Sequence, residues 1–292
     1  MNKAVSRSVE TVRLGTSWYP LIESFSASRV RILCWFTAIA FGLAQALASR
    51  HTMQADGISY LDMGDAIIRG DWKMAINAYW SPLYPWLQGL AAWAIKPAPY
   101  WQFTLVHLVN FLIYLFALAC FDTLLQALAT GGLAGRTFEV SGCAFSRRAL
   151  PAIGYAVFIW SSLDLITLEE VSPDMLMAGF VYLAAWLLVL IAKQPAKRFW
   201  FAVLLGLVLG LGYLAKAPMF PLAFVYWGAS LLLFGTWRRA LPFVLLEMIV
   251  FGIVVSPWII ALSRSKGRVT LGDSGKINYL VNVNHASPSW YF

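Results

Sequence analysis

"PLYPWLQGLAAWAI", Pro82–Ile95, is strongly apolar but only 14 residues long. A helix that crosses a bilayer core needs about 20 residues. Whether this stretch crosses decides the side of every later loop. Charge chooses between the two arrangements. If 82–95 stays at the surface and the N-terminus is cytoplasmic, thirteen of the 22 lysines and arginines share one side. They are Lys3, Arg7, Arg13, Arg29 and Arg31, then Arg136, Arg147 and Arg148, then Lys193, Lys197 and Arg198, then Arg238 and Arg239. Eight of the 14 acidic residues face the other side: Asp56, Asp62, Asp65, Asp71, Glu169, Glu170, Asp174 and Asp273. If 82–95 crosses, the Arg136–Arg148 loop moves outside and each later loop inverts. Cytoplasmic loops carry an excess of Lys and Arg, so the surface arrangement is preferred. The stretch then reads as a membrane-dipping or juxtamembrane helix, tolerated where it packs on protein or lines a cavity.

The rest of the chain agrees with a membrane setting. Of its 292 residues 60% are hydrophobic and 12% charged, about half the charge of a soluble domain. Mean hydropathy is +0.68. The apolar runs are continuous rather than short and alternating, which excludes a β-barrel. The expected fold is all-α: a polytopic bundle of about seven transmembrane helices, with juxtamembrane helices in the first outer loop. The spans are expected near 31–49, 103–128, 149–168, 174–192, 199–216, 218–235 and 240–262. Residues 1–29 form a cytoplasmic arm, 30–262 the transmembrane module with an outer loop at 50–102, and 263–292 an outer-face tail.

The net charge of +8 is scattered between apolar runs, which argues for topology bias and against nucleic-acid binding. The cysteines Cys34, Cys120 and Cys143 show no CxxC spacing, so neither a disulfide framework nor a metal knuckle is expected. Residues 1–29 are polar and no small-residue cleavage site follows, unlike a signal peptide.

The chemistry-bearing residues gather on the outer side. "QADGISYLDMGDAIIRGDW", 54–72, carries four aspartates. Asp56 is placed to cap a helix, Asp65 and Arg69 are spaced for an i,i+4 pair, and Asp71 precedes a second short helix. "LEEVSPDMLMAGF", 168–180, brings Glu169, Glu170 and Asp174 to the ends of two spans, with Pro173 as the break. Ionisable groups at membrane depth are functional candidates. One carboxylate could act as general base towards an acceptor hydroxyl. Asp56, Glu170 and Asp174 could instead offer hard oxygens to a divalent cation. "AYWSPLYPWLQGL", 78–90, reads either as an interfacial aromatic belt or as a platform for a sugar or headgroup. Lys216, in "GYLAKAPMF", ends an apolar helix against the positive-inside trend, so it either snorkels or meets a phosphate. The tail "LGDSGKINYLVNVNH", 271–285, could close a site with Asp273, Lys276, Asn278 and His285.

These stretches resemble the GT-C fold glycosyltransferases that use polyprenyl-phosphate sugars, the group with protein O-mannosyltransferases and lipid A aminoarabinose transferases. The matching elements occur in order: the Asp and Tyr of "ADGISYLDMGDA", the Pro-Leu-Tyr of "SPLYPWL", the Asp of "VSPDML", and the helix-ending lysine of "GLGYLAKAP". They span about residues 30–220. The resemblance implies transfer of a sugar from a lipid-linked donor to a lipid, glycan or protein acceptor on the outer face of a bacterial inner membrane. It implies catalytic roles for Asp56 and Asp174 and substrate contacts for Tyr60, Trp80, Tyr84 and Lys216. Tyr84 and Lys216 would lie near the donor phosphate. A divalent cation, Mg²⁺ or Mn²⁺, is left open as cofactor. Two positions depart from the family pattern: Ser81 replaces a charged residue or His, and Ala215 replaces a threonine. Family members commonly continue with further spans, so this chain is expected to be a minimal form or an N-terminal module, inactive alone if truncated. A transporter or flippase of a lipid-linked substrate is the competing reading, because Asp122, Asp164 and Glu247 fall within the expected spans.

Overall fold

The computed structural model describes residues 27–130, 139–140, 143–144, 149–234 and 236–285. Nearly all of this is helix. Helix α1, Ala27–Ala48, leads into three short helices: α2 (Ala55–Arg69), α3 (Trp72–Ala75) and α4 (Leu83–Ile95). Then come α5 (Gln102–Thr130), α6 (Ala149–Trp160) continued by a π turn at Ser161–Leu165, α7 (Asp174–Lys193) and α8 (Arg198–Ala215). Helices α9 (Met219–Leu232), α10 (Trp237–Lys266) and α11 (Ser274–Asn282) follow. The only strands among the described residues are two-residue pieces, Glu139–Val140 and Cys143–Ala144, paired antiparallel. The rest of the arm 1–29, the bases Arg136, Arg147 and Arg148, and the tail beyond His285 lie outside the described residues.

Five helices, α1, α5, α7, α8 and α10, are long and apolar enough to span a bilayer, so the chain is an integral membrane protein. Seven spans were expected; five of the described helices are long and apolar enough, and the other two are too short. Helix α9 has 14 residues, about 21 Å against a hydrocarbon core of about 30 Å. It begins only after Pro218, which terminates the Lys216–Pro218 turn. The third expected span holds 12 α-helical residues before its hydrogen bonding shifts to the π turn. Helix α4 has 13 residues, about 20 Å, also shorter than the hydrocarbon core.

Different polar contacts mark the two ends of the bundle. At one end Arg31 binds Asp122, Lys193 donates to the Ala127 carbonyl, and Arg198 donates to the Ile191 carbonyl. At the other end lie Asp56, Glu170, Asp174 and Lys216, which share one cavity.

Close backbone contacts place the short helices. A Cβ on Gly89 of α4 would lie 2.5 Å from the Gly64 carbonyl oxygen of α2, so these two helices touch backbone to backbone. A Cβ on Gly206 of α8 would lie 2.5 Å from the Glu247 carbonyl oxygen of α10. Within that interface Glu247 is fully buried; its Oε1 accepts from Ser230 Oγ at 2.8 Å, and its Oε2 has no partner among the described residues.

Candidate functional site

The loop before α7 is shaped by two polar side chains from the spans. Gln45 of α1 donates to the Leu163 carbonyl at 2.9 Å and accepts the Leu168 N–H at 3.0 Å. The buried ring of His107, on α5, lies 3.0 Å from the Thr52 carbonyl and 3.2 Å from the Leu168 carbonyl. These bonds hold Thr167 in the left-handed region at φ 58°, a conformation that costs a β-branched residue about 1–3 kcal/mol. The result is that the 49–54 turn, which leads to Asp56, and the 167–173 loop, which leads to Asp174, are tied to the same histidine.

Helix α2 then lies against that loop. A Cβ on Gly57 would lie 2.9 Å from Cβ of Val171, so only glycine allows this approach. Asp56 sits in the first turn of α2, where a carboxylate is favoured by the helix dipole. It is not the N-cap; Gln54 holds that position and makes no side-chain capping bond. The Asp56 carboxylate is free to face the cavity. The other aspartates behave as local structure. Asp71 accepts the Met74 N–H at 3.3 Å, Asp65 pairs with Arg69 at 2.6 Å, and Asp62 is exposed.

The cavity measures about 630 Å³. Asp56, Tyr60, Trp80, Glu170, Asp174 and Lys216 all line it. Lys216 is the residue after α8, where its N–H still bonds the Gly212 carbonyl at 2.9 Å, and its ammonium forms an ion pair with Asp174. Both partners remain partly open, at 34% and 41% side-chain exposure, so a ligand can reach them. Asp56 makes no ion pair among the described residues. Desolvation raises its carboxyl above the ordinary aspartate value, and the Lys216 charge opposes part of that rise. Tyr60, four residues along the same face, is buried between Trp80 and Tyr84, each with ring centroids 5.0 Å away. Burial, reinforced by Asp56, holds its phenol well above the usual tyrosine range, so it stays a neutral hydrogen-bond donor.

Tyr84 is not on the cavity wall, contrary to the expectation that it lies near a donor phosphate. It is fully buried behind Tyr60, and its hydroxyl donates to Asn110 Oδ1 at 2.5 Å. Its ring meets Tyr60 edge-on, so it supports the platform rather than forming it. Asp56, Glu170 and Asp174 were left open as candidate ligands for a divalent cation. Among the described residues no three His, Cys, Asp or Glu side chains are grouped to hold a metal ion. Asp56 comes from α2, Glu170 from the 167–173 loop and Asp174 from the first turn of α7, where it is paired with Lys216.

One wall residue, Tyr79, was not singled out from the sequence. The Tyr79 and Trp80 amides both donate to Asn77 Oδ1, at 2.7 and 3.2 Å, in an Asx turn that points both rings at the cavity. The Tyr79 hydroxyl donates to Asn278 Oδ1 of α11 at 3.0 Å. The Asp273 N–H donates to the Ala78 carbonyl at 2.7 Å. The segment after α10 therefore returns to close one wall. The Asn-Ala-Tyr-Trp run was the available signal for Tyr79; Asn278 lies in the tail that was read as able to close a site, and it does line the cavity.

Compared with known proteins, the chain matches no family model, no curated protein and no solved structure.

Proposed function

We propose that this protein is a membrane glycosyltransferase that moves a sugar from a polyprenyl-phosphate donor to an acceptor in the cavity between α2, α7 and α8. One observation carries the reading: an unpaired carboxylate, Asp56, shares a half-open cavity with a cation, Lys216, and an aromatic wall. Sugar rings stack on aromatic faces, an ammonium suits a phosphate, and a carboxylate with a raised pKa suits proton abstraction. The clustering of Arg31, Lys193 and Arg198 at the opposite end supports a cytoplasmic N-terminus and an outward-facing cavity, in a bacterial inner membrane.

In this mechanism the acceptor hydroxyl attacks the anomeric carbon. The bond from that carbon to the phosphate oxygen breaks, and polyprenyl phosphate leaves with the electron pair. The hydroxyl proton passes to Asp56. Lys216 stabilises the charge that grows on the departing phosphate. Asp174 holds Lys216 in place before the phosphate arrives. Tyr60 and Trp80 flank the sugar.

The test is release of polyprenyl phosphate by the reconstituted protein from a panel of polyprenyl-phosphate hexoses and pentoses. Asp56→Asn is expected to reduce release about 100-fold or more, in the range for loss of a general base. Release at the wild-type rate in both Asp56→Asn and Asp174→Asn would refute the assignment, whereas vectorial movement of the intact donor with no release would establish a flippase.

A further inference from the structure

A second depression adjoins the cavity. It measures about 410 Å³ and lies between the π turn after α6 and the first turns of α7. Its wall is apolar apart from Glu170 and Asp174, and these two residues also line the main cavity. The depression is therefore a continuation of the site. It runs along a spanning helix from Asp174 to Tyr182, a rise of about 12 Å, close to the depth of one hydrocarbon leaflet. Leu165, at its margin, is 63% exposed, so the groove opens sideways towards lipid.

We infer that this groove seats the hydrocarbon chain of the acceptor, which makes the acceptor a membrane amphiphile with an uncharged, hydroxylated headgroup. The argument rests on the glycosyl-transfer reading above. Its shape fits a single chain lying along the bilayer normal. Charge decides which lipid substrate it takes. The junction with the cavity carries Glu170, which makes no ion pair among the described residues, and Asp174, whose charge is spent on Lys216. A phosphate held at that junction would face an uncompensated carboxylate. A hydroxyl would find acceptors for its hydrogen bonds. The donor phosphate belongs on the far side of Asp174, beside Lys216. The groove thus delivers a neutral head to the space between Asp56 and Asp174, where its proton is taken.

The experiment compares n-dodecyl and methyl β-glucoside as acceptors in nanodiscs, with polyprenyl-phosphate sugar as donor. Wild-type protein is expected to favour the dodecyl acceptor at least tenfold. Ala178→Trp, which fills the groove, should abolish that preference while leaving transfer to the methyl acceptor unchanged. An unchanged preference in Ala178→Trp, or an equal loss with both acceptors, overturns the inference. In parallel, dodecyl glucoside with a mid-chain diazirine is photolysed with wild-type protein. Labelling within residues 177–182 that unlabelled dodecyl glucoside displaces supports the seat. Labelling spread evenly over α1 and α10, or not displaced, shows that the groove holds bulk lipid only and overturns it. The labelling arm requires neither a variant nor turnover. Absence of any polyprenyl phosphate release together with displaceable labelling would therefore reject the transferase reading and retain the chain-binding groove.

Discussion

Two carboxylates, one near each end of the bundle, show how differently the same chemical group is used. Asp122 is 3% exposed at its side chain and surrounded by donors. It receives Arg31 Nε at 3.0 Å and the other arm of that guanidinium, the Tyr155 hydroxyl, and Gln126 Nε2 at 3.4 Å. Its lone pairs are committed to tying α1, α5 and α6 together. Asp56 has no such partners and opens onto a cavity. A saturated carboxylate is a staple. An unsaturated one in a partly dry cavity still has bonding capacity to offer a ligand.

The contrast is broken most directly by exchanging the two losses. Asp56→Asn should reduce sugar transfer about 10²–10⁴-fold while leaving thermal stability in detergent unchanged. The sign follows from the raised pKa. An acid that holds its proton more tightly when folded costs stability once pH rises through its titration, so the charge removed at neutral pH is not one the fold depends on. Lys216→Met should cost about 10²–10³-fold in kcat, because the departing phosphate loses its counter-charge. Asp122→Ala should do the opposite: a loss of about 2–3 kcal/mol in unfolding free energy, with turnover of the remaining folded protein within about threefold. That cost falls below that of a fully buried pair because the Arg31 side chain is 48% exposed.

The pH profile sharpens the same comparison. The acidic limb of kcat/KM should lie above 3.8, the ordinary aspartate value, because desolvation raises the Asp56 carboxyl. In Lys216→Met the limb should move to still higher pH, since the one charge that lowers this group is gone. A limb that stays in place would mean another group acts as base. The smallest effects belong to Asp62→Asn and Asp65→Asn, expected to stay within about 0.5 kcal/mol of wild type with unchanged transfer.

Several features were legible before folding because they depend on local rules. The apolar runs that became α1, α5, α7, α8 and α10 are long and uninterrupted. The Asp65–Arg69 pair and the Asp71 cap follow from spacing alone. Six of the seven residues singled out as site candidates meet at one cavity, because Asp174 and Lys216 each mark a helix end and Asp56 lies in a first turn. Tyr84 was misplaced because a Pro-Leu-Tyr element does not say which way its ring turns. That depends on the Gly64–Gly89 contact, which presses α4 onto α2. Metal ligation stayed open in the sequence for a related reason: sequence counts carboxylates, but convergence depends on where three separate elements aim them.

Composition and periodicity alone determined that this chain enters a membrane, that 82–95 forms only a short helix, and that its carboxylates cluster between helix ends. The bilayer imposes these outcomes through length and charge, which a sequence carries directly. Only the tertiary structure decided which aspartate remains unpaired. His107 ties two distant loops together, Gly57 admits Val171, and α11 returns to Tyr79. These contacts join residues far apart in the chain, so no local pattern records them.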